Sequence, residues 1–170
     1  MTTADPVLPD AAVVARATGN GRFETSLELT GGRLIADEPV EVGGGDAGPT
    51  PYELMSAALA ACTSMTIRLY AERRGWSLPP FAVAVAHAVV PGPAGAPPRD
   101  LFERRLTLEG PLDPERRAKL LEIAAKCPIH RSLERGADIA TAFAEPPAPD
   151  PAAAAAPSGP ARAMAEACAD

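Results

Sequence analysis

Two cysteines in this chain have the setting for thiol chemistry. Cys62 lies inside the apolar run PYELMSAALAACTSMTIRLY, and Cys127 closes a second, LLEIAAKC, directly before Pro128. A pair of this kind can work as a redox couple, in which one sulfur is oxidised and the other resolves it. The attacking sulfur must be a thiolate. An ordinary cysteine has a pKa of about 8.5, and burial raises it. A mid-helix cysteine has no helix N-terminus to lower that value, so Cys62 needs a cation or a strong hydrogen-bond donor nearby. The bland alternative is that each cysteine is a small hydrophobe filling space among alanines.

Other constellations are weaker. Cys127 and His130 have Cys-x-x-His spacing, and His87 and Cys62 could add ligands. A structural zinc site draws on a second such element, and no Cys-x-x-Cys accompanies this one, so no metal is expected. His130 is then a residue that can tune Cys127 by hydrogen bonding. His87 alternates with valines and reads as a strand histidine with a satisfied ring. The chain has no G-x-S-x-G elbow for a serine hydrolase. A papain-like pairing of Cys62 with His87 or His130 has no local support. The glycine-rich stretch 43–51, GGGDAGPTP, lacks the Gly-Lys-Ser/Thr ending of a phosphate-binding loop and reads as a flexible connection.

The elements that must position the cysteines follow from pattern. Residues 11–18 read as a strand. RFETSLELT alternates, with Phe23, Thr25, Leu27 and Leu29 on one face. Gly31-Gly32 turns the chain, and RLIADEPVEV returns as a third strand broken near Pro39. A central helix starts at Thr50, with Pro51 at its first position and Glu53 completing a capping box, and runs to about Arg74. Residues 54–62 are apolar almost all round, so this helix is expected to be buried on every side, by the sheet or by a partner chain. FAVAVAHAVV (81–90) and FERRLTLEG (102–110) alternate as strands. Asp113 caps a second helix, which Pro128 stops at Cys127. IHRSL can add one further turn, and ADIATAF closes as a last strand. The order βββ–α–ββ–α–β makes an α+β domain.

Composition sets the limits. The chain has 170 residues, enough for one domain with trimmings at its ends. It is 46% hydrophobic but only 4% aromatic, so the core is aliphatic and alanine-rich, and a dimer interface is an attractive further source of burial. The net charge of −6 argues against electrostatic capture of nucleic acid. The N-terminus lacks the pattern of a secretory signal, and the apolar stretch at 53–62 is short for a membrane span. The expected location is the cytoplasm, where three cysteines are fillers, metal ligands or redox-active thiols rather than a disulfide framework. Residues 1–10 read as a flexible arm, 11–144 as the domain, and 145–170 as a disordered Pro/Ala-rich tail in which Cys168 is incidental.

At PYELMSAALAACTSMTIRLYAERRGW and KCPIHRSL, with LIADEPVEVGGGDAGPTP before them, the sequence resembles the OsmC/Ohr family of osmotically inducible and organic-hydroperoxide-resistance proteins. It is closest to the stand-alone OsmC branch. The resemblance implies an intertwined homodimer, with antiparallel sheets around a buried pair of central helices and active sites at the interface. It implies a peroxidase in which Cys62 attacks the organic hydroperoxide and Cys127 resolves it to a disulfide. A dithiol such as dihydrolipoamide then restores both thiols, and no cofactor is called for. An arginine of the N-terminal meander activates the peroxidatic sulfur in this family; Arg22 is the best match and Arg16 the runner-up. The carboxylate that orients it aligns with Tyr52, so Glu53, one residue later, is the candidate. At about 100° per residue, nine steps put Glu53 on the opposite side of a straight helix from Cys62. The competing reading is a dimeric binding protein for a small hydrophobic or lipid-like ligand, with unreactive cysteines.

Overall fold

The structure is a computed structural model and describes residues 13–143. Three strands, β1 (Val14–Ala17), β2 (Thr25–Leu29) and β3 (Gly32–Ala36), form an antiparallel meander in that order. A 3-10 turn at Val40–Val42 follows, then the central helix α1 (Pro51–Arg73). A separate antiparallel pair, β4 (Phe81–Val90) and β5 (Arg99–Leu108), leads to α2 (Pro114–Ala124) and α3 (Pro128–Arg135). The class is α+β, as the pattern predicts.

The capping signals work as read. The Thr50 hydroxyl accepts from the Glu53 N–H at 3.2 Å, while the Glu53 carboxylate accepts from the Thr50 N–H at 2.8 Å. Both partners remove a donor that the first helical turn leaves open. Asp113 caps α2 by accepting from the Arg116 N–H at 2.8 Å. The core sits where α1 meets α2 and the β4–β5 pair. Ile67, Leu120, Ile123 and Ala124 are buried there, with Tyr70, Trp76, Phe81 and Leu106 packed around them. Alternation along β4 and β5 turns Val83, Val85 and His87 to the same side as Phe102, Arg104 and Leu106, with Val85 opposite Arg104.

Four expectations change. First, α1 is not buried all round within one chain. Ser56, Leu59, Thr63, Ile67 and Ala71 form its buried face at helical spacing, while Met55, Met65 and Leu69 are exposed. By length and composition alone α1 could cross a membrane, but that face packs against β4, α2 and α3. Second, the third strand ends at Ala36, because Pro39 and the 3-10 turn divert the chain. Third, residues 137–143 form no strand. Ile139 and Phe143 are exposed, and the alternating pattern finds no edge to pair with among the described residues. The arm at 1–10 and the tail from 145, with Cys168, lie outside the described residues.

Fourth, residues 43–48 are tied down rather than loose. The Asp37 carboxylate is buried and accepts the N–H groups of Glu38 (2.9 Å), Gly45 (2.9 Å) and Ala47 (3.2 Å). The glycines serve close approach: a Cβ on Gly44 would strike the Glu38 carbonyl, and one on Gly48 the Ile35 carbonyl. The N–H of Glu38 holds the Asp37 carboxyl below its ordinary 3.8, against the opposing effect of burial, and the Ala47 and Gly45 N–H groups add to the lowering. A lowered folded-state value stabilises the fold above the unfolded value and loses that contribution as pH falls through the folded one. Asp37→Asn is therefore expected to be less stable than wild type near neutrality, with the gap closing as the pH falls below about 4. Urea unfolding midpoints of both proteins across that range check this. A gap that stays constant with pH contradicts it.

Candidate functional site

Cys62 and Cys127 come together. Both are free thiols. Cys62 faces outward enough from α1 to be half-buried, whereas Cys127 is completely buried. The two thiols lie near enough to act on each other's ionisation. Pro128 does more than stop a helix. α2 ends four residues earlier, at Ala124, and Pro128 takes the first position of α3, where its missing N–H costs nothing. Cys127 thus holds the N-cap position of α3, with the His130 and Ile129 N–H groups facing its sulfur without closing a full capping bond.

The two sulfurs are electrostatically unequal. Burial pushes Cys62 up, and the neighbouring Cys127 thiol pushes it further; the Ile129 N–H and Thr66 only partly oppose this. Burial also acts to raise Cys127. The Cys62 thiol, the His130 N–H, the Thr63 hydroxyl and the Ile129 N–H together outweigh it, and the net direction is down. The nearby cation is Arg104 on β5. Its Nη1 donates to Thr63 Oγ1 at 2.9 Å and to the Ala124 carbonyl at 3.0 Å. Burial draws Arg104 below its ordinary value while attraction to Cys127 acts the other way. An arginine stays charged in either case.

The other sequence candidates lie elsewhere within the chain. Arg22 stacks its guanidinium over Phe23, 4.9 Å from the ring centroid, and reaches toward Gly43. It is not among the groups acting on either cysteine. Arg16 pairs with Glu28 on the meander at 2.6 Å. Glu53 serves the capping box, and the bond from the Thr50 N–H lowers its carboxyl below its ordinary value. It lines a cavity of about 480 Å³ with Tyr52, Ser56, Ala60 and His87, and the cysteines are not part of that lining. His87 is satisfied, as expected of a strand histidine: its ring stacks on Tyr52 at 3.9 Å and bonds Asp100 at 2.8 Å. The His130 ring faces Glu134 at 3.7 Å. No cluster of three or more metal-ligating side chains occurs among the described residues.

The model of the OsmC-like protein family matches residues 43–142, a span that contains both cysteines, Glu53 and Arg104. The chain belongs to the OsmC-like family. Solved structures agree on the fold. A Psychrobacter arcticus protein described as osmotic stress induced and involved in the detoxification response superposes with a TM-score of 0.62 at 20% identity, covering 75% of this chain and 90% of its own. An organic hydroperoxide resistance protein OsmC of Legionella pneumophila gives 0.55 at 23% identity, with 74% and 90% covered. The organic hydroperoxide resistance protein OhrB of Bacillus subtilis gives 0.55 at 18%, with 74% and 91% covered. None of the curated proteins matches the sequence.

In this OsmC-like chain, Arg104 is the residue that sequence reasoning overlooked. The signal was available. FERRLTLEG alternates, and Arg104 falls on the same face as Phe102 and Leu106, where an arginine is buried only with partners. The cysteine pair of this OsmC-like domain can hold one negative charge and one proton between two sulfurs. That is the starting state for oxidation at one sulfur and displacement at the other.

Proposed function

We propose that this OsmC-like chain is a thiol-dependent peroxidase that reduces organic hydroperoxides. The observation that carries the reading is a pair of free thiols near enough to act on each other, with Cys62 reachable from outside and Cys127 fully enclosed. Reachability assigns the roles. Cys62 attacks the terminal peroxide oxygen, the O–O bond breaks, and Cys62 becomes a sulfenic acid as the alkoxide leaves and takes up a proton. The Cys127 thiolate then attacks the sulfenic sulfur, a disulfide forms, and hydroxide leaves as water after protonation. A dithiol such as dihydrolipoamide exchanges with the disulfide, is oxidised to its own cyclic disulfide, and restores both thiols.

The working form in this reading is a homodimer. A second copy covers Met55, Met65 and Leu69 on the exposed side of α1, and a dimer can also carry the Arg22 of one copy toward the site of the other. The reducing cytoplasm is the compartment in which the two thiols stay free between turnovers.

A specific observation favours a second reading, a dimeric binding protein. Phe23, Leu27, Ala36, Pro51 and Leu54 line an apolar cavity of about 310 Å³ between the meander and the start of α1. One assay separates the two. Purified protein with dihydrolipoamide is expected to consume cumene hydroperoxide catalytically, over many equivalents. Consumption no faster than that of the dithiol alone would overturn the peroxidase and leave the binder.

A further inference from the structure

Arg104 is a half-buried cation without a counter-ion. It lies on the inward side of β5 between Phe102 and Leu106, opposite Val85. A guanidinium keeps its charge under burial, and a charge leaves water only at a cost that its partners must offset. Its neighbour Arg105, on the outward side of the strand, has a carboxylate partner in Glu103 at 2.7 Å. Arg104 has none among the described residues. Its Nη1 is spent instead on two neutral oxygens, Thr63 Oγ1 at 2.9 Å and the Ala124 carbonyl at 3.0 Å. Both belong to the elements that carry the cysteines. Thr63 directly follows Cys62 on α1 and is completely buried. Ala124 is the last residue of α2, also buried, and its carbonyl is one of those that a helix end leaves open. That carbonyl accepts a second bond, from the Cys127 N–H at 3.3 Å. One chain of hydrogen bonds therefore runs from the residue beside Cys62, through a single guanidinium nitrogen, to the backbone of Cys127.

We propose that Arg104 is the positioning residue of the thiol pair, a clamp from β5 that holds the Cys62 turn of α1 to the Cys127 backbone and so sets how readily the two sulfurs close into a disulfide. The clamp rests on the peroxidase reading for its use in turnover, where it serves the step in which Cys127 displaces hydroxide from the Cys62 sulfenic acid. Among the described residues Arg104 makes no hydrogen bond to either sulfur, and it acts through Thr63 and Ala124. A leucine or methionine at this position would fill the space, as Leu106 does two residues on, but would not bond α1 to α2. The guanidinium adds a favourable charge at the negative end of α2, which steadies the turn that leads into Cys127.

The test needs no peroxide. In a Cys168→Ser background, the protein is equilibrated with mixtures of oxidised and reduced dithiothreitol. The two cysteines give up two electrons and two protons as their disulfide forms, and the cyclic disulfide of dithiothreitol takes them up and opens to its dithiol. Mass spectrometry counts the Cys62–Cys127 disulfide, and circular dichroism selects the variants that fold. Arg104→Met keeps a long apolar stem but removes the donors. It is expected to lower the equilibrium constant for closure about tenfold, which raises the reduction potential by about 30 mV. Thr63→Val cuts one arm of the clamp and should show part of that loss. Arg104→Lys, whose ammonium can donate to both oxygens, should restore most of it, a rescue that mere filling of the core would not give. Arg105→Met, on the outward side, should leave the constant at its wild-type value. A constant unchanged in both Arg104→Met and Thr63→Val overturns the clamp, and so does wild-type protein that forms no Cys62–Cys127 disulfide. The expected shift in a protein that consumes no cumene hydroperoxide would uphold the clamp and remove the peroxidase reading, so the two fail separately.

Discussion

Replacing Cys62 with serine is expected to abolish hydroperoxide reduction, cutting the rate by roughly a thousandfold because a neutral hydroxyl is a far weaker nucleophile toward oxygen than a thiolate. The structure narrows the reason. Cys62 is the member of the pair that solvent reaches, and Cys127 is sealed between α1, β5 and the start of α3. The variant should fold normally, since serine keeps the size of the side chain at a half-buried position on α1. Cys127→Ser is expected to behave differently. It should still make one sulfenic acid at Cys62 per added peroxide and then stall, because the thiolate that displaces hydroxide has been removed. Assays of cumene hydroperoxide consumption with dihydrolipoamide check both variants. Wild-type turnover in Cys62→Ser contradicts the assignment.

The largest expected effect on stability is at Ile67. Its side chain is fully buried against Leu120, Ile123 and Ala124, so Ile67→Ala loses the burial of three carbon groups and leaves a cavity, costing about 3 kcal/mol. The position also couples stability to chemistry. Ile67 lies on α1, which carries Cys62, and its partners lie on α2, which leads into Cys127. One patch of core therefore sets the spacing of the two sulfurs. Ile67→Ala is expected to lower the urea midpoint strongly and also to slow disulfide formation in protein that remains folded. Ile67→Val should lose only about 1 kcal/mol and keep the rate. Urea unfolding with a parallel measurement of disulfide formation reads both. A destabilised Ile67→Ala protein that closes its disulfide at the wild-type rate would show that the core does not set the spacing.

The parts of the fold that local chemistry dictates were legible in the residues. Thr50 with Glu53, Asp113 with Pro114, and the alternation of 81–90 each specify an element whose start needs nothing from the rest of the chain. The family was legible for a related reason, since the two cysteine segments and the loop before α1 stand in one order and separation. The misreadings share a cause. A proline after a helix ends one element and begins another with equal ease, so Pro128 hid the fact that Cys127 holds the N-cap position of α3. Alternation in ADIATAF says that a strand could form but not that an edge exists to receive it. Composition pointed to burial all round α1 by the sheet or a partner chain, and within one chain only the face from Ser56 to Ala71 is covered. Arg104 escaped notice because its importance comes from two contacts across long sequence separations, to Thr63 and to Ala124. The alternation of FERRLTLEG turns Arg104 inward, but it does not say which partners Arg104 meets there.

In the proposed reaction Cys62 and Cys127 act as one redox pair. Intact-mass and peptide mass spectrometry after one equivalent of cumene hydroperoxide tests it most directly. A loss of two hydrogens and a single Cys62–Cys127 linked peptide, both reversed by dihydrolipoamide, are expected. Both thiols intact after treatment, or oxidation confined to Cys168, would contradict it.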